Sequence, residues 1–92
     1  MSRVLRWTVP VDGQSHRIPS EIRHVCSRNA HSVEVWTTSS RRPDIAVQVV
    51  ATGQDYPADW QWVGSAEVPG VLIVWHLMQT DENARDLPPV TP

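Results

Sequence analysis

Proline and glycine divide this chain into short segments in which apolar and polar residues alternate, and that pattern constrains its fold more than any other feature. Alternation with a period of two places every second side chain on one face, which is typical of a strand buried on one side. In the segment 3–9, Leu5, Trp7 and Val9 share one face. Pro10 ends the segment, because proline has no N–H to donate to a neighbouring strand. The chain is therefore expected to be mainly β.

Further segments with strand character follow along the chain. The segments 21–28 and 32–38 are joined by a short connection and predict a hairpin, and 45–52 is the clearest β segment because it is rich in β-branched residues. Short strands separated by turn signals predict an all-β fold, an antiparallel sheet of six or seven short strands curled into a small sandwich or partial barrel. The predicted strands are 3–9, 16–18, 21–28, 32–38, 45–52, 60–68 and 71–78.

The segment 71–78 is apolar on both faces, which indicates a strand covered on two sides. A chain of 92 residues buries such a strand more easily beneath a second copy, so we expect a homodimer or a larger closed assembly. Residues 1–80 are assigned to a single β domain. Residues 81–86 are expected to make at most one helical turn, and the proline-rich residues 88–92 to remain a flexible, frayed tail that does not pack.

The composition indicates in which compartment the protein resides and which class of partner is disfavoured. Cys26 is the only cysteine, so no internal disulfide can form, and this favours a reducing compartment. The chain opens without a signal-peptide pattern, and no apolar run approaches the roughly 20 residues that cross a bilayer. We therefore expect a soluble protein of the cytoplasm with no membrane insertion. The formal net charge of −2 disfavours nucleic acid as a partner.

The residues that could carry catalysis or bind a metal lack the spacing that either requires. His24 and Cys26 project from the same face of a predicted strand, but the sequence has no Cys-x-x-Cys or His-x-x-x-His pair. It also has no nucleophile elbow, no paired carboxylates and no glycine-rich phosphate loop. We predict no catalytic residue, no metal site and no cofactor, and we do not expect an enzyme. The candidates weighed for a metal were His16, His24, His31, His76 and Cys26.

Tryptophan and arginine are the residue types most enriched at binding hot spots, and this chain has five tryptophans and eight arginines. Trp7 and Trp75 lie inside apolar strands and are assigned to the core. Trp36 faces away from Val33 and Val35, so it is either a contact residue or a cover for the second face of a small sandwich. The predicted partner-binding residues are Trp36, Arg41, Arg42, Trp60 and Trp62.

With these residues in view, the chain resembles a family of small proteins of unassigned function that are encoded mainly by actinobacteriophages and related prophages. The resemblance extends from Trp7 to Leu77 and depends on the order and spacing of several short motifs. These are Trp7 with the segment 9–14 and His16, then the segments 22–25, 35–36, 49–53, 62–64 and 74–77.

The resemblance implies a compact β-rich domain and a phage-encoded, non-structural gene product. Small phage proteins of this kind commonly seize a host protein, and some are toxic to the host or exclude superinfection. The leading hypothesis is therefore a protein that binds and inhibits or redirects a host bacterial protein in the host cytoplasm. A cell-division or polar-growth scaffold is one candidate target. The alternatives are a nucleic-acid-binding regulator, which requires a basic face that the overall charge conceals, and an enzyme of unrecognised type.

Overall fold

The chain folds as two antiparallel β-sheets packed face to face. A computed structural model describes residues 3–39 and 41–92. The prediction of an all-β fold is confirmed, in the form of a sandwich and not of a closed barrel. The strands are β1 (Val4–Pro10), β2 (His16–Ile18), β3 (Ile22–Asn29), β4 (Ser32–Thr38), β5 (Ile45–Ala51), β6 (Gln61–Glu67) and β7 (Val74–Gln79).

One sheet has three strands in the order β1-β4-β3, and the other has four in the order β2-β5-β7-β6. The predicted hairpin of β3 and β4 is present in the three-stranded sheet. Alternation sends Val33 and Val35 of β4 inward, where they pack in one cluster with Val47 of β5 and Leu77 of β7. Trp7 and Trp75, which the sequence assigns to the core, are half-buried and pack against this cluster. The core is therefore the space between the sheets.

On one side of the sandwich the edge strands β3 and β6 approach each other directly. Gly64 of β6 lies so near β3 that a Cβ atom at this position would be 3.0 Å from Cγ2 of Val25. A hydrogen atom is the only side chain that fits this approach without displacing a neighbour. Glycine at position 64 thus allows the two sheets to close along this edge.

On the other side, the C-terminal segment fills the space between β1 and β2. The N–H of Arg17 donates to Pro88, the N–H of Val90 donates to Arg17, and the N–H of Thr8 donates to Thr91. Val90 is only 6% exposed and belongs to the core cluster. The prediction that residues 88–92 do not pack is wrong. Proline lacks an N–H, but its carbonyl still accepts, and an extended proline-rich segment can therefore bond to an exposed sheet edge.

Strand β7 begins at Val74, three residues later than the apolar run predicts. The N–H of Val68 donates to the carbonyl of Ile73, which closes a turn containing Gly70 at φ 79° and leaves Val71 and Leu72 exposed. The predicted two-sided cover is present further along, because Leu77 is in the core and Met78, which points to the opposite face, is 2% exposed. A single chain provides this burial, so self-association stays a prediction that the strand itself does not require.

The segment after β7 contains one short 3₁₀ turn, Ala84–Asp86, in agreement with the single helical turn predicted there. The side chain of Asn83 accepts a hydrogen bond from the N–H of Arg85 and caps this turn. No helix within residues 3–39 and 41–92 is long and apolar enough to cross a membrane.

Candidate partner-binding cleft on the four-stranded sheet

A β-bulge in β6 determines which side chains reach the outer face of the four-stranded sheet. The pairing with β7 shifts register after Trp62, so that Val63 is an extra residue on the bulged strand. Trp62 pairs with Met78, and Ser65 pairs with His76. Without the bulge, residues three apart would point to opposite faces, because the side-chain period of a strand is two. With it, Trp62 and Ser65 lie on the same face.

This face contains a cleft of about 310 Å³, which we call the aromatic cleft. Val50 and Met78, both 2% exposed, provide buried apolar surface in it. Trp62 and Tyr56 also line the cleft and remain 67% and 48% exposed. Tyr56 is stacked on Trp60, with ring centroids 6.4 Å apart. The remaining lining residues are Ala51, Thr52, Gly53, Gln54 and His76.

A chain of hydrogen bonds holds the polar groups of the cleft in place. Oγ of Ser65 lies 2.7 Å from Nδ1 of His76 and 3.2 Å from Nε1 of Trp62. Nε2 of His76 lies 2.8 Å from Oγ1 of Thr52, whose hydroxyl donates to the carbonyl of Val74 at 3.4 Å. The indole ring is thus connected through Ser65 to the imidazole, and the imidazole to the end of β5.

One tautomer of neutral His76 satisfies every donor and acceptor in this chain at once. In it, the hydroxyl of Thr52 donates to the carbonyl of Val74 and accepts from Nε2–H of His76. Nδ1 is then unprotonated and accepts from the hydroxyl of Ser65, whose oxygen is free to accept from Nε1–H of Trp62. Every group has one consistent role, which orients Trp62 before any ligand arrives.

Chemically, this arrangement is suited to binding. In a serine hydrolase, a carboxylate contacts the ring nitrogen of histidine that faces away from the serine, and it stabilises the imidazolium. At the equivalent place beside the Ser65–His76 pair, this protein has the neutral hydroxyl of Thr52. The exposed ring of Trp62, oriented by hydrogen bonds beside buried apolar surface, forms a preorganised contact surface that loses little conformational entropy on association.

The structure separates the five predicted partner-binding residues. Trp62 lines the aromatic cleft, whereas Trp60 does not line it but is half-buried against Tyr56, which does. Trp36 is half-buried on the outer face of the three-stranded sheet, where the guanidinium of Arg6 lies 5.9 Å from its ring centroid. Arg41 and Arg42 are exposed in the β4–β5 loop. Trp36 and Trp62 therefore project from opposite sides of the sandwich and do not form one site.

Sequence reasoning missed Thr52, Ser65 and His76 as a unit. Strict alternation places Trp60 and Trp62 on one face and gives no reason to associate Trp62 with Ser65. The signal that points to the bulge is Gly64, since glycine inside a strand often marks one. No comparable signal points to Thr52, because its contact with His76 depends on how β5 pairs with β7.

His24 and Cys26 lie on the outer face of the three-stranded sheet, and neither lines the aromatic cleft. Sγ of Cys26 is 3.8 Å from Oε2 of Glu34, and Nε of Arg28 lies 3.3 Å from the same oxygen. The carboxylate nearest to Cys26 is thus already paired with a guanidinium. Within the part of the chain that the structure describes, no group of three or more His, Cys, Asp or Glu side chains could hold a metal ion.

Comparison with known proteins adds one match. A family model described as a domain of unknown function (DUF7352) matches residues 1–87. No curated protein and no solved structure matches the sequence. The matched range contains every residue of the aromatic cleft.

Proposed function

This chain belongs to the DUF7352 family, a domain of unknown function, and we propose that it acts by binding a protein partner through the aromatic cleft. One observation supports this most directly. Trp62 is two-thirds exposed, yet its indole N–H is fixed by Ser65 and by the carbonyl of Gly64, so the ring is held in one orientation beside buried apolar surface.

An exposed tryptophan that is already held in place favours binding in two ways. A large ring that leaves water on contact supplies apolar burial, and a ring that is already oriented gives up few rotamers. Tyr56, which lines the same cleft and is stacked on Trp60, extends this surface. Tyrosine and tryptophan are enriched in the centres of protein interfaces for these reasons.

The resemblance to phage-encoded proteins supplies the class of partner. We propose a host bacterial protein, which this chain inhibits or redirects in the host cytoplasm. Such an activity requires a stable contact surface and does not need a catalytic group. The cleft, with its exposed aromatic rings, supplies such a surface.

The test is affinity purification from actinobacterial lysate with the tagged full chain. We expect one host protein in stoichiometric amount, retained by Trp36→Ala and lost with Trp62→Ala. Trp36→Ala is the matched control, since it removes the same side chain from the opposite sheet. Equal capture by both variants, or loss with Trp36→Ala alone, contradicts the proposal.

Self-association is a separate proposal. It is supported by Val71 and Leu72, which are exposed apolar neighbours on the β6–β7 turn. Apolar side chains in this position favour contact with another apolar surface. A second copy of the chain is the simplest source of such a surface.

A further inference from the structure

A second cleft on the described surface is cationic. It has a volume of about 390 Å³ and is lined by three arginines that are distant in sequence: Arg17 on β2, Arg41 in the β4–β5 loop and Arg85 in the 3₁₀ turn. Pro43, Asp44, Asn83 and Ala84 complete the lining. We call this site the arginine cleft.

The charges of the arginine cleft are not balanced within it. Nε of Arg17 lies 3.7 Å from Oδ2 of Asp44, and among the described residues this is the only ion pair that involves any of the three arginines. The lining therefore has three positive charges and one negative charge, in a chain whose formal net charge is −2. Like charges held close together repel, and an anion in the cleft removes that repulsion.

The fold holds two of these arginines by their backbones. Arg17 donates its N–H to Pro88 and accepts from the N–H of Val90, so the C-terminal segment fixes its position. The N–H of Arg85 donates to the side chain of Asn83, which caps the 3₁₀ turn. The cleft is therefore a product of the tertiary structure, and not a set of side chains on one flexible loop.

We propose that the arginine cleft binds carboxylate side chains of an acidic peptide segment. A guanidinium presents donors in a planar fork that matches a carboxylate, and the anion that already pairs in this cleft is the carboxylate of Asp44. A long polyanion such as a nucleic acid binds along an extended basic surface. It fits this site less well, because the three arginines are confined to one cleft and the chain as a whole is acidic.

This inference rests on the proposed function for the source of the peptide, which is the same protein partner. Asp44 immediately precedes β5, and Val50 and Ala51 of the aromatic cleft lie at its other end. A strand of this length spans about 20 Å, well within one interface of standard size. A partner that covers Trp62 can therefore also place acidic side chains among the arginines.

The test uses isotope-labelled full chain and a hexaglutamate peptide, with a hexaglutamine peptide as the uncharged control. We expect the Nε–Hε signals of Arg17, Arg41 and Arg85 to shift only with glutamate, and the shifts to weaken with added salt. The double variant Arg41→Gln/Arg85→Gln should lose at least about tenfold in affinity. The control variant Arg28→Gln, on the opposite sheet, should bind hexaglutamate with the affinity of the wild type.

Several results overturn this proposal. One is that hexaglutamate does not bind, and another is that all variants bind it equally. A third is that inorganic phosphate, or a single-stranded oligonucleotide of equal charge, binds more tightly than hexaglutamate through the same arginines. Retained amide dispersion in each variant shows that the fold is intact. Trp62→Ala should bind the peptide normally, so failure of host-protein capture and failure of the arginine cleft are separate outcomes.

Discussion

The backbone N–H of Thr8 donates a 2.7 Å hydrogen bond to the carbonyl of Thr91, which ties the C-terminal segment to the three-stranded sheet while Arg17 ties it to the other sheet. Val90, between these two attachments, is buried in the core. The segment thus acts as an extra short strand that closes one side of the sandwich. In a domain this small, such a closure contributes a large share of the stability.

Val90→Ala is therefore expected to lower the free energy of unfolding by about 1–3 kcal/mol, since it removes buried methyl groups and leaves a cavity. Urea unfolding followed by tryptophan fluorescence measures the change. Val71→Ala is the matched control, because Val71 is exposed and should change stability by less than about 0.5 kcal/mol. Equal effects of the two substitutions would show that the segment does not support the fold.

Gly64→Ala is expected to destabilise the protein by roughly 1 kcal/mol, because the new Cβ would lie 3.0 Å from Cγ2 of Val25. Val25 is β-branched and has little rotamer freedom with which to move away. The same substitution in a Val25→Ala background should be neutral or slightly stabilising, since the clash is gone and alanine reduces the entropy of the unfolded chain. A double-mutant cycle with no coupling contradicts this account.

Asp12 should make stability sensitive to acid. Partial burial by itself raises the pKa of this carboxyl, but hydrogen bonds from the N–H of Gln14 and from His16, with the charge of His16, together hold the pKa below its ordinary value of 3.8. A carboxyl whose pKa is lowered on folding stabilises the protein when the pH is above the ordinary pKa of 3.8. That stabilisation is lost as the pH falls through the pKa of the folded state.

The measurement is urea unfolding of the wild type and of Asp12→Asn between pH 7 and pH 3. The wild type should be the more stable protein near neutrality, and the difference should shrink below about pH 4. A difference that is constant over the whole range contradicts the assignment to Asp12.

Ser65→Ala tests the hydrogen-bond chain of the aromatic cleft. It removes the hydroxyl between Nε1 of Trp62 and Nδ1 of His76, so the indole N–H keeps only the carbonyl of Gly64 as an acceptor and the ring should be held less firmly. We expect partner affinity to fall about three- to tenfold, with a change in unfolding free energy below about 1 kcal/mol because the site is exposed. Ser39→Ala, at an exposed serine directly after β4 of the other sheet, should leave affinity unchanged.

Leu72→Asp tests self-association. The side chain is fully exposed, so the substitution should not disturb the fold, but a charge there opposes contact with an apolar surface. Sedimentation should show an assembly for the wild type and a single 10.4 kDa species for the variant. A wild-type chain that sediments only as the single species removes the proposal.

Much of the strand content was predictable because it depends on neighbours in sequence. The bounds predicted for β2 and β4 agree with the structure to the residue, since 16–18 and 32–38 alternate cleanly between turn signals. The start of β7 was not predictable from the apolar run, because Val71 and Leu72 are as apolar as the strand that follows. The backbone hydrogen bonds from Val68 to Ile73 and from Val71 to Val68 assign them to the turn.

The sequence by itself determined the class of fold and the location of most strands, because the alternation of side chains is a local property of an extended backbone. The tertiary structure decided what the sequence left open: that Trp36 and Trp62 face opposite ways, that a bulge brings Ser65 to Trp62, and that Arg17, Arg41 and Arg85 meet in one cleft. The physical reason is that sheet order, register and edge closure depend on contacts between residues far apart in the chain, and the local pattern of alternation does not specify those contacts.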